Sequence, residues 1–296
     1  MALTGESAVS ITGLCVDYGR NRVLDGFDMA VQGRTVHGLL GRNGAGKTTT
    51  IRAVAGLLAP SSGGLTVLGR QPHDDPSVRR LLSILPSEDG LIPGLSIMEN
   101  LVCWARLWGV GGREAAQAAS EALDAVGMEG DPSRRVGSLS SGNRRLAALA
   151  RTFMVPCEIV ILDEPTSSLD PVVSARIRSV IAAMSRERTV ILSTHNLEEA
   201  QELCSTVTII HHGRRVFEGP PAGSSPGGRY LFRADSAAPS WRGSQLEPGQ
   251  DGFFMLDSGL TAAETLAELV RDGVRVTEFR PVLGSLNEIF MEVAGT

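Results

Sequence analysis

Alternating apolar and polar positions near the start of the chain predict two antiparallel strands, over residues 9–16 and 23–31. The turn between them is expected at residues 19–22. A continuous apolar run over residues 35–40 then predicts a buried strand that leads directly into a glycine-rich loop. The chain is therefore expected to begin with an antiparallel subdomain and to enter an α/β pattern at its third strand.

The α/β pattern continues after the glycine-rich loop. Residues 48–58 predict a helix, which we expect to stop at Pro60 and a turn at residues 61–64. The other apolar segments of this part predict strands over residues 65–68, 81–85, 158–162 and 189–193 and a helix over residues 171–185. Strands that alternate with helices are typical of a parallel sheet.

Residues 87–157 have a different pattern. Two segments with helical spacing, over residues 97–108 and 114–126, are joined by a glycine-rich turn at residues 109–112. We interpret this region as a helical subdomain inserted into an α/β domain that spans residues 1–220.

A stretch rich in Gly, Ser and Pro over residues 221–228 predicts a linker. Residues 229–296 then predict a small C-terminal α+β domain, in which a capping box from Thr261 to Glu264 opens a helix. Residues 274–279 predict a strand, and residues 285–293 predict another helix. The tail carries no cluster of catalytic residue types, so a structural or interaction role is expected for it.

Length and charge limit the class of protein. A chain of 296 residues has room for one large α/β domain and a smaller one. A net charge of −5 argues against a nucleic-acid platform, which is usually basic. A membrane helix needs about 18 consecutive apolar residues, and the sequence has no stretch of that length. The start of the sequence lacks the pattern of a signal peptide. We therefore expect the chain to stay in the cytoplasm.

Lys47 is the only lysine in the sequence, and all the other basic residues are arginine. It completes the phosphate-binding pattern G-x-x-x-x-G-K-[ST], between a predicted strand and a predicted helix. A compact ammonium fits a tight loop around a triphosphate better than a planar guanidinium does. We expect Lys47 to reach the β- and γ-phosphates and Thr48 to bind Mg²⁺. The residues expected to hold the nucleotide in this loop are Gly41, Asn43, Gly44, Ala45, Gly46, Lys47, Thr48 and Thr49.

Two carboxylates follow the apolar run at residues 159–162. Open α/β sheets bind ligands at the C-terminal ends of their strands, where Asp163 and Glu164 are expected to lie. Asp163 is suited to hold Mg²⁺ through water. Glu164 is placed to polarise the attacking water, as a catalytic residue. A solvated acidic strand end is the structural alternative, and the pair beside a phosphate loop favours the catalytic interpretation.

The combined motifs resemble those of the ABC ATPases. Residues 162–170 resemble the joined Walker B and D-loop segments of that family, and residues 193–200 resemble its switch-histidine segment. Residues 139–143, with the sequence Leu-Ser-Ser-Gly-Asn, take the place of its signature. Tyr18 matches the aromatic residue that stacks on adenine, although one aromatic alone is more often a core residue. With the phosphate loop, five motifs occur in the order of the family over about residues 9–220.

This resemblance implies a P-loop NTPase core of ABC type and a mechanism that uses ATP and Mg²⁺. Two copies would bind head to tail, so that Ser140 and the backbone of Gly142 contact the γ-phosphate bound to the other copy. His195 would act in catalysis by sensing the γ-phosphate, and Asp170 would couple the two sites. From residue type alone, His195 is a strand-end histidine and Asp170 is a helix N-cap before Pro171.

Two positions depart from the family pattern. Ser87 stands where the family has a glutamine that links Mg²⁺ to the helical subdomain. The shorter serine would contact the metal or the lytic water through a bridging water, or Glu88 would replace it. The signature is Ser-Ser-Gly-Asn, in which Ser141 stays small and Asn143 keeps an amide. A regulatory nucleotide-binding module with weak turnover therefore stays open as an alternative.

Residues 284–293, together with residues 92–101, resemble a subfamily that powers the export of drugs, antibiotics and related compounds. That resemblance implies a separate membrane permease and a place at the cytoplasmic face of the membrane. Two other classes fit less well. An ABC protein acting on ribosomes would carry two nucleotide domains, and this sequence has one. A DNA-repair relative would carry long coiled-coil heptads, and this sequence has none.

Overall fold

The computed structural model describes residues 7–221, 229–235, 239–242, 244–246, 253–258, 260, 262–281, 286 and 290. The chain divides into two compact units, Met1–Gly219 and Pro220–Thr296. The division falls beside the predicted linker, of which residues 222–228 lie outside the described part of the chain. Among the described residues, no helix combines the length and the apolar character that a membrane span requires.

The first unit contains two sheets. Its strands are β1 (Ser7–Tyr18), β2 (Asn21–Gln32), β3 (Val36–Leu40), β4 (Ser62–Val67), β5 (Leu82–Leu85), β6 (Ile159–Asp163), β7 (Thr189–Thr194), β8 (Thr206–His211) and β9 (Arg214–Gly219). The larger sheet has the order β5-β6-β7-β3-β8-β9, with parallel pairs up to β8 and an antiparallel β8–β9 pair. The smaller sheet is antiparallel with the order β2-β1-β4, which confirms the predicted first hairpin.

Helices fill the connections of the larger sheet and form a separate cluster between β5 and β6. They are α1 (Lys47–Val54), α2 (Ile97–Leu107), α3 (Gly112–Ala125), α4 (Ser141–Phe153), α5 (Pro171–Met184) and α6 (Leu197–Leu203), with short 3₁₀ turns at Pro76–Leu81 and Val136–Ser138. Helix α3 packs against α2 and α4. These three helices form the predicted helical subdomain.

The main core joins the two sheets through α1. Val9 and Phe27 of the antiparallel sheet, Ile51 of α1, and Leu39 and Ile161 of the parallel sheet belong to one buried cluster. Every residue of β3, β6 and β7 is buried, because both faces of these central strands are covered. This burial holds rigidly the strand ends from which the candidate site is built.

The predicted end of the first helix was wrong. Helix α1 ends at Val54 and not near Pro60, because Gly56 follows with a φ of +67°. The Gly56 N–H donates to the Ala53 carbonyl and the Leu57 N–H donates to the Arg52 carbonyl, the paired bonds of a Schellman motif. Glycine therefore ends the helix before proline does.

The predicted turn at residues 61–64 was also wrong. Strand β4 begins at Ser62, and Gly64 pairs with Thr12 of β1. A Cβ atom on Gly63 would lie 2.3 Å from the Gly13 carbonyl oxygen. Gly63 therefore allows β4 to approach an irregular part of β1 closely, which the composition of this segment did not reveal.

The second unit is a small α+β fold, as predicted. Its elements are β10 (Arg229–Ala234), β11 (Ser240–Trp241), β12 (Ser244–Gln245), β13 (Phe254–Asp257), α7 (Ala262–Arg271) and β14 (Val276–Pro281), and β10 is the central strand of an antiparallel sheet β13-β10-β14. Phe232, Phe254 and Leu269 form its apolar core with Leu256 and Val274. The Thr261 side of the predicted capping box and most of the predicted helix 285–293 lie outside the described residues.

Candidate nucleotide site

Three neighbouring strands end at the same edge of the larger sheet. The phosphate loop follows β3, Glu164 follows β6 and His195 follows β7. Strand β7 is paired in parallel with both β3 and β6, so that Leu40 lies beside Thr194, and Asp163 beside Ser193. Parallel pairing in this register brings the predicted catalytic residues together although more than a hundred residues separate the first from the others.

Glycines shape the phosphate loop where it passes other backbone. Gly46, at the start of α1, has a φ of +118°, and a Cβ atom there would lie 2.8 Å from Leu24 Cδ2. A Cβ atom on Gly41 would lie 2.6 Å from the Ile210 carbonyl oxygen. No side chain caps the start of α1. The first turn of this helix is therefore suited to bind an anion.

Lys47 is buried within the loop, with 6% of its surface exposed. Its Nζ donates a hydrogen bond to the Gly41 carbonyl oxygen at 2.7 Å. The same Nζ lies 3.3 Å from Glu164 Oε1. The ammonium thus joins the start of the loop to the carboxylate that follows β6.

The two predicted carboxylates have different partners. The Asp163 carboxylate accepts a hydrogen bond from the Ser193 hydroxyl. Glu164 Oε2 lies 2.8 Å from His195 Nδ1. Because a carboxylate only accepts, Nδ1 carries the hydrogen and Nε2 of His195 faces away from this bond. Glu164 also has a φ of +50°, a conformation that non-glycine residues seldom adopt outside special sites.

A cavity of about 340 Å³ lies over the phosphate loop. This volume is in the range of small-molecule sites. A second cavity of about 400 Å³ shares Asn43, Ser87 and Glu164 with the first and extends to His195. The lining residues of the first cavity are Val23, Arg42, Asn43, Gly44, Gly46, Lys47, Thr48, Thr49, Ser87, Asp163 and Glu164.

Known proteins resemble this chain over most of its length. Residues 24–167 match the ABC transporter family. The daunorubicin/doxorubicin resistance ATP-binding protein DrrA of Streptomyces peucetius is 33% identical, over 97% of this chain and 92% of that protein. The chain belongs to the ABC transporter family. A Nod factor export ATP-binding protein I of Cupriavidus metallidurans is 37% identical to this ABC protein, over 69% of this chain and 68% of that protein.

Solved structures support the same family assignment. A structure described as the ATP-binding subunit of an ABC transporter has a TM-score of 0.66 and 26% identity, and the match covers 72% of this chain and 90% of that chain. The predicted ABC-type P-loop fold is therefore confirmed. ATP binding and ATP hydrolysis coupled to transport, the activity of ABC ATP-binding subunits, are confirmed with it.

Several predicted residues of this ABC ATPase lie outside the cavity over the phosphate loop. Tyr18 is 42% exposed at the end of β1. Ser140 caps α4 by accepting from the Asn143 N–H, and the Asp170 carboxylate caps α5 by accepting from the Val172 and Val173 N–H groups. None of these three residues, nor Gly142, lines the cavity, for which residues 7–221 are all described. Their proposed contacts with nucleotide stay predictions.

Ser87, which stands at the position of the family glutamine in the sequence, lines both cavities. Its backbone carbonyl accepts a hydrogen bond from Arg145 at 3.3 Å. Glu88, the predicted substitute, lines neither cavity in the described part of the chain. Of the two residues, Ser87 alone lines these cavities, and its contact with metal or water stays a prediction.

Two buried residues around the site were missed. Arg145 of α4 donates to the backbone carbonyls of Pro86, Ser87 and Asp163. Glu199 of α6 is 1% exposed and accepts a hydrogen bond from the Thr166 hydroxyl at 2.7 Å, and burial raises its pKa. The available sequence signal was that each is a charged residue within the apolar pattern of a helix. A charged residue in such a place is seldom fully buried unless it has partners.

Proposed function

We propose that Glu164 is the catalytic carboxylate of the ATPase reaction. Its two oxygens face Lys47 at 3.3 Å and His195 at 2.8 Å, at the edge of the cavity over the phosphate loop. A carboxylate that is held by two neighbours, at the place where the γ-phosphate would lie, can polarise an attacking water. This arrangement is the single observation that supports the proposal most strongly.

The residues at the cavity fit Mg²⁺, although the ion itself is a proposal. Thr48 and Asp163 both line the cavity and offer oxygen ligands. Mg²⁺ in nucleotide sites uses one or two protein oxygens besides phosphates and waters. When bound, the ion would neutralise charge on the phosphates. The hydrogen bond from Ser193 orients the Asp163 carboxylate, and Ser87 is the further proposed contact.

We further propose that a second copy completes the site. Ser140 and Gly142 lie at the start of α4 and do not line the cavity formed by the described residues of their own chain. Ser140 is exposed, so its hydroxyl is accessible to another molecule. In a head-to-tail dimer this helix start would contact the γ-phosphate of the partner. Tyr18 is proposed to stack on adenine, and Asp170 to couple the two sites.

The partner in transport is proposed to be a separate membrane permease. The similarity to a drug-resistance ATP-binding protein over 97% of this chain supports export of a drug, an antibiotic or a related compound. The chain would then lie at the cytoplasmic face of the membrane, bound through the permease. No role with nucleic acid is proposed.

The catalytic proposal is tested with Glu164→Gln. We expect the purified variant to bind ATP as the wild type does and to lose about a hundredfold or more in kcat, because the carboxylate acts on water and the amide cannot. Equal ATPase activity in both proteins would contradict the assigned role. Tight ATP binding with very slow turnover in the wild type would instead favour the regulatory module.

The transport proposal needs the membrane partner. We expect a multi-helix membrane protein to co-purify with the chain from membranes. Co-expression of the pair in a drug-sensitive bacterium should then raise resistance to a daunorubicin-like drug or to another antibiotic of a test panel. The same pair carrying Glu164→Gln is the control, and equal resistance in both strains would show that export does not use ATP hydrolysis by this chain.

A further inference from the structure

Arg145 is a buried arginine whose donors all bind backbone carbonyls. It lies in α4 and is 4% exposed. Its Nη2 donates to the Asp163 carbonyl at 2.8 Å and to the Glu164 carbonyl at 3.0 Å, and its Nε donates to the Pro165 carbonyl at 3.0 Å. Its Nη1 donates to the Pro86 carbonyl at 2.7 Å and to the Ser87 carbonyl at 3.3 Å. One side chain thereby joins α4 to both loops that border the cavity.

The geometry requires a guanidinium. Arginine carries five N–H donors in a rigid plane, and here five carbonyls on two loops occupy them. Burying this charge is costly. The nearby opposite charge is the Asp89 carboxylate, which lies 3.9 Å from Arg145 Nη1. Burial also lowers the pKa of Arg145. An apolar residue would fill the same buried space without the cost of burying a charge, which points to a role for Arg145 in placing the two loops.

We propose that Arg145 is a positioning residue for the ATPase reaction: it holds the turn that carries Glu164 and the segment that carries Ser87 in a fixed relation to α4. Its contact with Glu164 is through the backbone carbonyl, so it acts on the catalytic carboxylate indirectly. Displacement of a catalytic group by about 1 Å can cost on the order of a hundredfold in rate.

Arg145 lies near the start of α4, the part of the helix that is proposed to contact the partner's nucleotide. It lies five residues after Ser140, about one and a half helical turns. This step rests on the proposed function, in which the start of α4 contacts ATP held by the second copy. Any displacement of α4 by that contact then reaches Glu164 and Ser87 of the same chain through Arg145. The residue links the partner's nucleotide to the catalytic carboxylate.

Arg145→Lys in the full chain tests the proposal, because lysine keeps the charge but cannot reach five carbonyls. We expect kcat for ATP to fall about tenfold to a hundredfold. The Kd for ADP, measured by calorimetry, should stay within about twofold of wild type, because Arg145 lines the second cavity and not the cavity over the phosphate loop. A wild-type kcat, or a parallel loss of ADP binding, would overturn the proposal.

Arg151→Lys is the matched control. Arg151 is also buried on α4, at 7% exposure, and it donates to the carbonyls of Asp89 and Gly90. Its guanidinium also lies over the Trp104 ring at 4.8 Å. It makes no hydrogen bond to residues 163–165 within the described part of the chain, so we expect its kcat to change by less than about twofold. Equal losses of kcat in both variants would show that any buried arginine of α4 has this effect, and would overturn the specific role.

A second variant covers the case in which Arg145→Lys does not fold. Arg145→Gln removes the buried charge and keeps an amide donor, so it lowers the cost of burial while losing most of the carbonyl contacts. A folded Arg145→Gln protein with wild-type kcat would overturn the proposal. A different result would contradict the proposed function: Glu164→Gln would then keep wild-type activity, whatever the Arg145 variants do.

Discussion

The space around Lys47 decides which cation the loop accepts. Lys47 is almost fully buried, and its Nζ lies between the Gly41 carbonyl and the Glu164 carboxylate. A guanidinium is wider and planar, so it cannot take this position without moving the loop. We predict that Lys47→Arg lowers the ATPase kcat by about a hundredfold or more although the charge is kept. Steady-state phosphate release measures the effect.

The control for this prediction is the opposite change on the same helix. Arg52 lies exposed in the last turn of α1. Arg52→Lys should keep kcat within about twofold of wild type, because surface substitutions have small effects. If Lys47→Arg turned over ATP at the normal rate, the lone lysine would be a coincidence of composition.

His37 links stability to pH. It is 1% exposed in β3, its Nε2 contacts the Thr208 hydroxyl at 2.8 Å, and burial lowers the pKa of His37 from 6.5 to about 4. The unfolded chain therefore binds a proton at a higher pH than the folded chain does. The stability that neutral His37 contributes is complete above about pH 6.5 and is lost as the pH falls toward about 4, by roughly 3 kcal/mol in total.

We predict that His37→Gln weakens this pH dependence. Urea unfolding at about pH 7 and about pH 4.5 should give a difference in unfolding free energy that is smaller in the variant by roughly 2 kcal/mol. His73→Gln changes an exposed histidine and should leave the difference as in wild type. An unchanged difference in the His37 variant would mean that acid acts on stability through other groups.

The sequence predicted which residues of the candidate site lie at or after the ends of β3, β6 and β7. Lys47, Asp163, Glu164 and His195 stand in motifs whose strands pair in parallel, so their meeting follows from the fold class. Arg145 could not be predicted in the same way. Its partners are backbone carbonyls 18 to 59 residues away, and carbonyls carry no sequence signal.

At the scale of elements, the turn between β8 and β9 supports the phosphate loop. The Gly213 N–H donates to the Ala45 carbonyl at 3.0 Å, and the Gly213 carbonyl accepts from the Asp25 N–H at 3.0 Å. Gly213 has a φ of +75°, and a Cβ atom there would lie 2.1 Å from the Val23 carbonyl oxygen. The turn therefore fits against β2 and the phosphate loop only without a side chain.

We predict that Gly213→Ala weakens ATP binding by about tenfold, since the turn must move and takes Ala45 with it. Gly69→Ala is the matched control. Gly69 has nearly the same φ, +74°, but no atom lies within 4 Å of its Cβ position. Both variants should lose about 1 kcal/mol of stability from backbone strain. Equal ATP affinity in the two variants would show that the turn does not support the loop.

Elements were predicted better than their ends. The central strands were located by apolar runs, because burial on both faces leaves a continuous pattern. The turn at Gly56 that ends α1 passes close to the Pro72 backbone, and the start of β4 near Gly63 passes close to the Gly13 backbone. Such approaches are tertiary contacts that a local pattern of residue types does not contain.

At the scale of the whole molecule, the residues of the proposed composite site do not all line the cavity over the phosphate loop of one copy. Lys47, Asp163 and Glu164 line the cavity, whereas Ser140 caps α4 and does not line it. A head-to-tail dimer would build each site from the phosphate loop of one copy and the helix start of the other. Two such defects carried by different copies should therefore meet in one site of a mixed dimer and leave the other site intact.

We predict complementation between Lys47→Ala and Gly142→Asp. Each variant alone should be inactive, the first without its phosphate contact and the second because a Cβ atom on Gly142 would lie 3.0 Å from Val173 and the carboxylate would repel phosphate. In a mixed dimer both defects meet in one site, and the other site is intact. If copies pair at random, mixing equal amounts should restore about a quarter of the wild-type ATPase rate.

Lys47→Ala mixed with Glu164→Gln is the control for this prediction. Both changes lie in the same half of the proposed site, so every mixed dimer would carry one defect in each site and stay inactive. Activity in the first mixture and none in the second would support a site shared between copies. Failure of both mixtures to recover activity, with mixed dimers present by native mass spectrometry, would contradict two independently working composite sites. Recovery in both would contradict the shared site itself, because the intact halves could then combine in some other way.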